Sequence, residues 1–137
     1  MESDFGWAPF GRAMPDPETP ATTSATPARH MAIVSCMDAR LDPLRALGLQ
    51  LGDAHVIRNA GAVVGDDVVR SLEASRAAGG TTAVAIVAHS DCRAHGGDDE
   101  AARRTVREGV ERVRAALPGL DVSALFYDLA GGRVSPL

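Results

Sequence analysis

Three side chains in this sequence have the chemistry of metal ligands and stand where a fold could gather them. Cys36 ends the apolar run Met31-Ala32-Ile33-Val34-Ser35. His89 and Cys92 follow a second run, Ala83 to Ala88, as His89-Ser90-Asp91-Cys92. His89 and Cys92 are three residues apart, close enough to reach one ion from a tight turn. Two thiolates and one imidazole suit Zn²⁺, which prefers sulfur and nitrogen donors in a tetrahedral arrangement. Three protein ligands leave a fourth position, as a catalytic zinc requires.

Asp38 and Arg40 stand two and four residues beyond Cys36. The Asp38 carboxylate has two options. It can bind the metal as a fourth ligand and close the site. It can instead pair with Arg40, whose planar fork grips a carboxylate in bidentate fashion, and so be held off the metal as an acceptor for bound water. The tetrapeptide Arg58-Asn59-Ala60-Gly61 leaves another apolar run and is expected to line the substrate pocket, with Gly61 allowing a tight turn or a close backbone approach. His95, just beyond the ligand turn, reads as an exposed loop histidine, with proton shuttling as the alternative.

These groups need a scaffold that carries distant stretches to one place. The apolar runs Met31–Ser35, Ala54–Ile57, Ala83–Ala88 and Ala124–Tyr127 are continuous rather than alternating, which suits parallel strands covered on both faces. Between them, Asp66 to Ala78 reads as a helix with Asp66 as N-cap and Gly79-Gly80 as stop. Asp98 to Leu117 places Ala102, Val106, Val110, Val113 and Leu117 on one stripe. Pro43 to Leu49 has room for a short helix. The alternation predicts an α/β fold, a mainly parallel β-sheet flanked by helices. In such a sheet the carboxyl ends of the strands share one edge, where ligands bind. That edge receives Cys36, Arg58, His89 and Cys92.

Residues 1–28 differ from the rest. Prolines 15, 17, 20 and 27 and several threonines predict an extended N-terminal arm, leaving 29–137 as the α/β domain. Phe5, Trp7 and Phe10 in that arm read either as part of a floppy terminus or as rings that pack on the body or on a second subunit. The chain of 137 residues is long enough for one core, with 45% hydrophobic and 23% charged residues. No apolar run approaches the roughly 20 residues of a membrane span. The formal net charge of −4 gives no sign of a nucleic-acid partner. All 14 basic residues are Arg, so lysine Schiff-base chemistry is excluded. No secretory signal opens the chain, so a cytoplasmic location with reduced thiols is expected. A nucleotide-binding module is disfavoured by the lack of G-x-G-x-x-G after the first strand.

The ordered set Cys36-x-Asp38-x-Arg40, Arg58-Asn59-Ala60-Gly61 and His89-x-x-Cys92 resembles the β-class carbonic anhydrases. The resemblance implies that Cys36, His89 and Cys92 bind Zn²⁺ and that Asp38 and Arg40 form a catalytic dyad. The implied reaction is reversible hydration of carbon dioxide to bicarbonate by a metal-bound hydroxide. The implied assembly is a homodimer or larger homo-oligomer, with the N-terminal segment crossing to the partner. Family members commonly carry Gly after the second cysteine, where this chain has Arg93. Two alternatives accompany this reading. The same site can act on carbon disulfide or carbonyl sulfide, or Asp38 can close it in a non-catalytic zinc protein.

Overall fold

The computed structural model describes residues 24–137. Four parallel strands and one antiparallel strand form a single sheet in the order β2-β1-β3-β4-β5. The strands are β1 (Met31–Cys36), β2 (Ala54–Asn59), β3 (Ala83–His89), β4 (Asp121–Asp128) and β5 (Arg133–Pro136). Among the described residues the helices are α1 (Pro43–Ala46), α2 (Asp66–Gly79) and α3 (Asp99–Ala116), with a 3₁₀ turn at Arg93–His95. The α/β reading therefore holds. From β1 the chain steps outward to β2 on one side, then returns to place β3 on the other. This reversal opens a crevice at the carboxyl ends of β1 and β3, the place where open α/β sheets bind ligands.

Side chains alternate across the sheet. Ala32, Val34, Val84, Ile86, Val122, Ala124 and Phe126 point to one face, where they meet Val68 and Leu72 of α2 and Ala102, Val106, Val110 and Val113 of α3. Ile33, Ala85 and Val87 point to the other, against Leu44, Leu47 and Leu49 in and after α1. The expected double burial thus holds for β1 and β3, whose burial is nearly complete. It fails for β2, which is an edge strand with Val56 exposed.

The cap of α3 is as expected: the Asp98 side chain accepts from the main-chain N–H groups of Glu100 and Ala101. That of α2 is not. Gly65 is its N-cap and makes no side-chain bond, while Asp66 is the first helical residue, where its charge still faces the positive end of the dipole. Gly80, at φ 68°, closes α2 in the left-handed conformation. In α3, Gly109 lets the helix approach closely, since a Cβ there would lie 2.7 Å from Val64 Cγ2. The strand β5 is absent from the apolar runs because all four of its residues are exposed.

The expectation for Phe5, Trp7 and Phe10 lies outside the described residues. The described end of the arm is attached to the body. The N–H groups of Ala28 and Arg29 donate to the carbonyls of Gly52 and Asp53, and Pro27 is buried. At this amino-terminal edge of the sheet, His55 Nε2 donates to Ala25 O at 2.9 Å and His55 Nδ1 accepts from Ser75 Oγ at 2.7 Å. Ser75 Oγ in turn lies 2.6 Å from Thr81 Oγ1. Among the described residues no helix is long and apolar enough to cross a membrane.

Candidate metal centre

Because β1 and β3 are parallel neighbours in register, their ends deliver Cys36 and His89 to the same point of the rim. The chain turns sharply after His89, with Asp91 at φ 53°, and brings Cys92 back beneath the same crevice. The side chains of Cys36, His89 and Cys92 are all buried, and their donor atoms lie within 4.8 Å of one another.

Both cysteines are free thiols, with Cys36 Sγ and Cys92 Sγ 3.8 Å apart. Two metal–sulfur bonds of about 2.3 Å at a tetrahedral angle place two sulfurs about 3.8 Å apart. The imidazole is prepared as well. His89 Nδ1 donates to the Ser90 carbonyl at 2.8 Å, which fixes the tautomer and leaves Nε2 with its lone pair. Among the described residues that buried Nε2 atom has no hydrogen-bond partner. An orphaned acceptor in a buried site costs free energy unless something binds it. Burial pushes the Cys92 thiol up, and the nearby Cys36 sulfur adds to this, while main-chain N–H groups of Ala94 and His95 oppose it. A cation held by these residues would offset the repulsion and favour the thiolate forms. The donor set, its spacing and its unpaired nitrogen all fit a tetrahedral metal ion.

Asp38 lies at the mouth of this cluster, its Oδ2 3.8 Å from His89 Nε2. Arg40 grips it three times. The main-chain N–H of Arg40 donates to Oδ1 at 2.8 Å, Nε donates to Oδ1 at 3.0 Å and NH2 donates to Oδ2 at 2.7 Å. A carboxylate has about four acceptor positions. Three are filled, and the remaining one is on Oδ2, the oxygen next to the metal ligands. These bonds hold the Asp38 carboxyl well below the usual carboxylate range. Arg40 is itself held from the far side by Asp91, through Oδ2 at 3.2 Å and the carbonyl at 3.0 Å. Arg93, placed directly after Cys92, turns outward to Asp91 Oδ2 at 3.4 Å and is largely exposed.

The tetrapeptide after β2 frames the site. Arg58 Nε donates to Cys36 O at 2.9 Å, and its NH2 donates to Asp38 O at 2.8 Å and Leu41 O at 3.0 Å. One guanidinium thereby fixes the loop that carries Cys36, Asp38 and Arg40. Asn59 clasps the main chain of Val63 in both directions, at 2.8 and 3.0 Å. Ala60 is exposed on the rim. Gly61 donates its N–H to Cys36 Sγ at 3.3 Å. The side chains of Arg58 and Asn59 thus engage main-chain groups of the site's own loops.

The roles of Asp91 and His95 are not visible in the sequence. His95 is half-buried rather than exposed, and its Nε2 donates to Gly61 O at 3.0 Å. Nothing in local spacing pairs residue 40 with 91, or 61 with 95. The shared rim of β1, β2 and β3 was the available signal that these loops meet.

A parallel α/β sheet with a buried Cys-His-Cys cluster at its switch point, and a clamped carboxylate beside it, defines a restricted type of protein whose site could hold a metal ion. Residues 31–118 match the family model described as carbonic anhydrase. The sequence is 49% identical over 134 residues to "Beta-carbonic anhydrase 1" of Mycobacterium tuberculosis, covering 80% of this chain and 82% of that protein. The fold is similar to the crystal structure of carbonic anhydrase from Streptococcus mutans, with a TM-score of 0.83, 31% identity and coverage of 99% of this chain and 98% of that one. A shorter similarity, 41% identity over 64 residues, connects it to "Carbon disulfide hydrolase" of an Acidianus strain, spanning 47% of this chain and 31% of that protein. The chain belongs to the carbonic anhydrase family, in its β class.

Proposed function

We propose that this protein catalyses the reversible hydration of carbon dioxide to bicarbonate, with Zn²⁺ held by Cys36, His89 and Cys92 and with Asp38 and Arg40 as the catalytic dyad. The observation that carries the reading is the buried, unpartnered Nε2 of His89 beside two free thiols, with a single open acceptor position of Asp38 facing them. When bound, Zn²⁺ supplies Lewis acidity that lets water act as a nucleophile near neutral pH.

The chain's own residues supply the rest. Ser90 O holds the Nδ1 proton of His89, so Nε2 stays available as a ligand. Arg40 fills three acceptor positions of Asp38, which keeps the carboxylate from swinging inward to become a fourth ligand. The open position on Oδ2 accepts a hydrogen bond from the reacting water and points its lone pair at the carbon of carbon dioxide. Held by Arg40 and with its carboxyl well below the usual carboxylate range, Asp38 serves to orient the water. Arg58 to Gly61 form the substrate-facing rim, with Arg58 and Asn59 shaping it through main-chain bonds and Ala60 and Gly61 offering small surfaces.

Met37, Val56 and Val63 are exposed apolar side chains in or near edge strand β2 and beside the site's loops, which supports a homodimer or larger homo-oligomer meeting on this side. Two free thiols suit the reducing cytoplasm.

Stopped-flow hydration with zinc-loaded protein tests the reading. Protein with bound zinc and no rate above buffer, near neutral and at mildly alkaline pH, rejects it. The similarity to carbon disulfide hydrolase calls for a parallel measurement of sulfide release from carbon disulfide and carbonyl sulfide. Sulfide release without carbon dioxide hydration assigns the site to those substrates instead.

A further inference from the structure

We propose that His95 is a positioning residue for the metal centre, acting through Gly61 to aim a main-chain N–H at the sulfur of Cys36. This rests on the metal-site reading above and goes beyond it, by assigning a group that tunes one ligand.

The chain of contacts has two bonds and one peptide unit. Gly61 O can only accept, so the 3.0 Å contact means that His95 Nε2 carries the proton and donates. On the same residue, the Gly61 N–H donates to Cys36 Sγ at 3.3 Å. Gly61 adopts φ 86° and the next residue, Ala62, φ 56°, so the turn holds two consecutive left-handed residues. Such backbone persists where the surroundings hold it. The imidazole is one part of that hold. A Cβ on Gly61 would lie 2.7 Å from His95 Nε2, so the ring fills the space a side chain would need.

His95 is in turn brought to Gly61 by its own loop. The N–H groups of His95 and Gly97 both donate to Cys92 O, at 3.0 and 2.9 Å, and the turn is completed by Gly96 and Gly97 at φ 65° and 77°. The loop that carries one sulfur ligand is therefore fastened to the loop that contacts the other. An N–H directed at a thiolate withdraws electron density from the sulfur and weakens its donation to a bound cation. Losing the clamp leaves Cys36 the more electron-rich donor.

The test uses cobalt(II) in place of zinc, because the sulfur-to-cobalt charge-transfer band reports the electron density on sulfur. His95→Gln keeps a donor for Gly61 O, while His95→Phe and His95→Ala remove it, with far-UV circular dichroism checking the fold of each. The expected result is a shift of the band to longer wavelength in the Phe and Ala variants and a near wild-type band in the Gln variant. An unmoved band in folded Phe and Ala variants overturns the proposal, and so does a Gln variant displaced as far as the Phe variant. If wild-type protein binds cobalt without any charge-transfer band, the sulfur-ligand reading itself fails, and this proposal fails with it.

Discussion

Replacing Asp38 separates the two roles a carboxylate beside a zinc site can have. Three of its acceptor positions are taken by Arg40 and one is free on Oδ2. In the proposed reaction its contribution to catalysis is therefore one hydrogen bond between a charged acceptor and the reacting water, worth about 1.5–3 kcal/mol. At about 1.4 kcal/mol per tenfold in rate, Asp38→Ala should lower kcat/KM for hydration roughly 10- to 150-fold. Asp38→Asn should be no better, because an amide presents one oxygen and turns an N–H₂ group toward the donors of Arg40. Both variants should retain zinc, since Cys36, His89 and Cys92 are untouched. The assays are stopped-flow hydration and metal content after dialysis. If the Ala variant loses its metal, Asp38 is a ligand and the clamped geometry is not the working one. If it keeps both metal and full rate, the dyad has no catalytic part.

Three further outcomes follow from the same geometry. Arg58→Ala removes the donor shared by the carbonyls of Cys36, Asp38 and Leu41. Zinc affinity should drop about 10- to 100-fold in a folded protein, and a competition titration within threefold of wild type would contradict this. Ser75→Ala leaves the Thr81 hydroxyl and His55 Nδ1 without a partner in a largely buried chain, costing about 1–3 kcal/mol with no effect on metal binding. A thermal midpoint unchanged within error would show that these bonds do not support the fold. Acid stability is the third. Arg40 holds the Asp38 carboxyl below its unfolded value. The folded state therefore gains stability from this group above the ordinary carboxylate pKa of about 4, and loses it as pH falls toward the depressed value. The stability gap between wild type and Asp38→Asn, measured by denaturant titration, should be constant near neutral pH and close on acidification. A gap that widens below about pH 4 contradicts the assignment.

The Cys-His-Cys cluster was legible in the sequence because parallel strands impose a simple rule: residues at their carboxyl ends meet. Cys36 ends β1 and His89 ends β3, and their adjacency needs only that the two strands pair. Helices α2 and α3 were legible for a similar reason, as their apolar stripes and glycine or aspartate ends are local features. What escaped was set by tertiary contact or by solvent. Strand β5 has no buried residue, so no apolar run marks it. The edge position of β2 depends on the order in which strands assemble, which its own apolar residues do not encode.

The partners of the site were hidden for the same physical reason that makes them informative. Asp91 reaches Arg40 across 51 residues and His95 reaches Gly61 across 34, each through loops whose meeting is fixed by the sheet beneath them. Arg58 illustrates the consequence. Its place on the rim is readable in the sequence, but the three carbonyls of one loop that its guanidinium binds are not. A parallel sheet brings the ligands together but leaves the loops beyond its edge with unpaired main-chain groups. The arginines and histidine around this centre satisfy those groups. In doing so they fix Cys36 and Asp38 in the positions their chemistry requires, so the contacts that finish the fold also prepare the site.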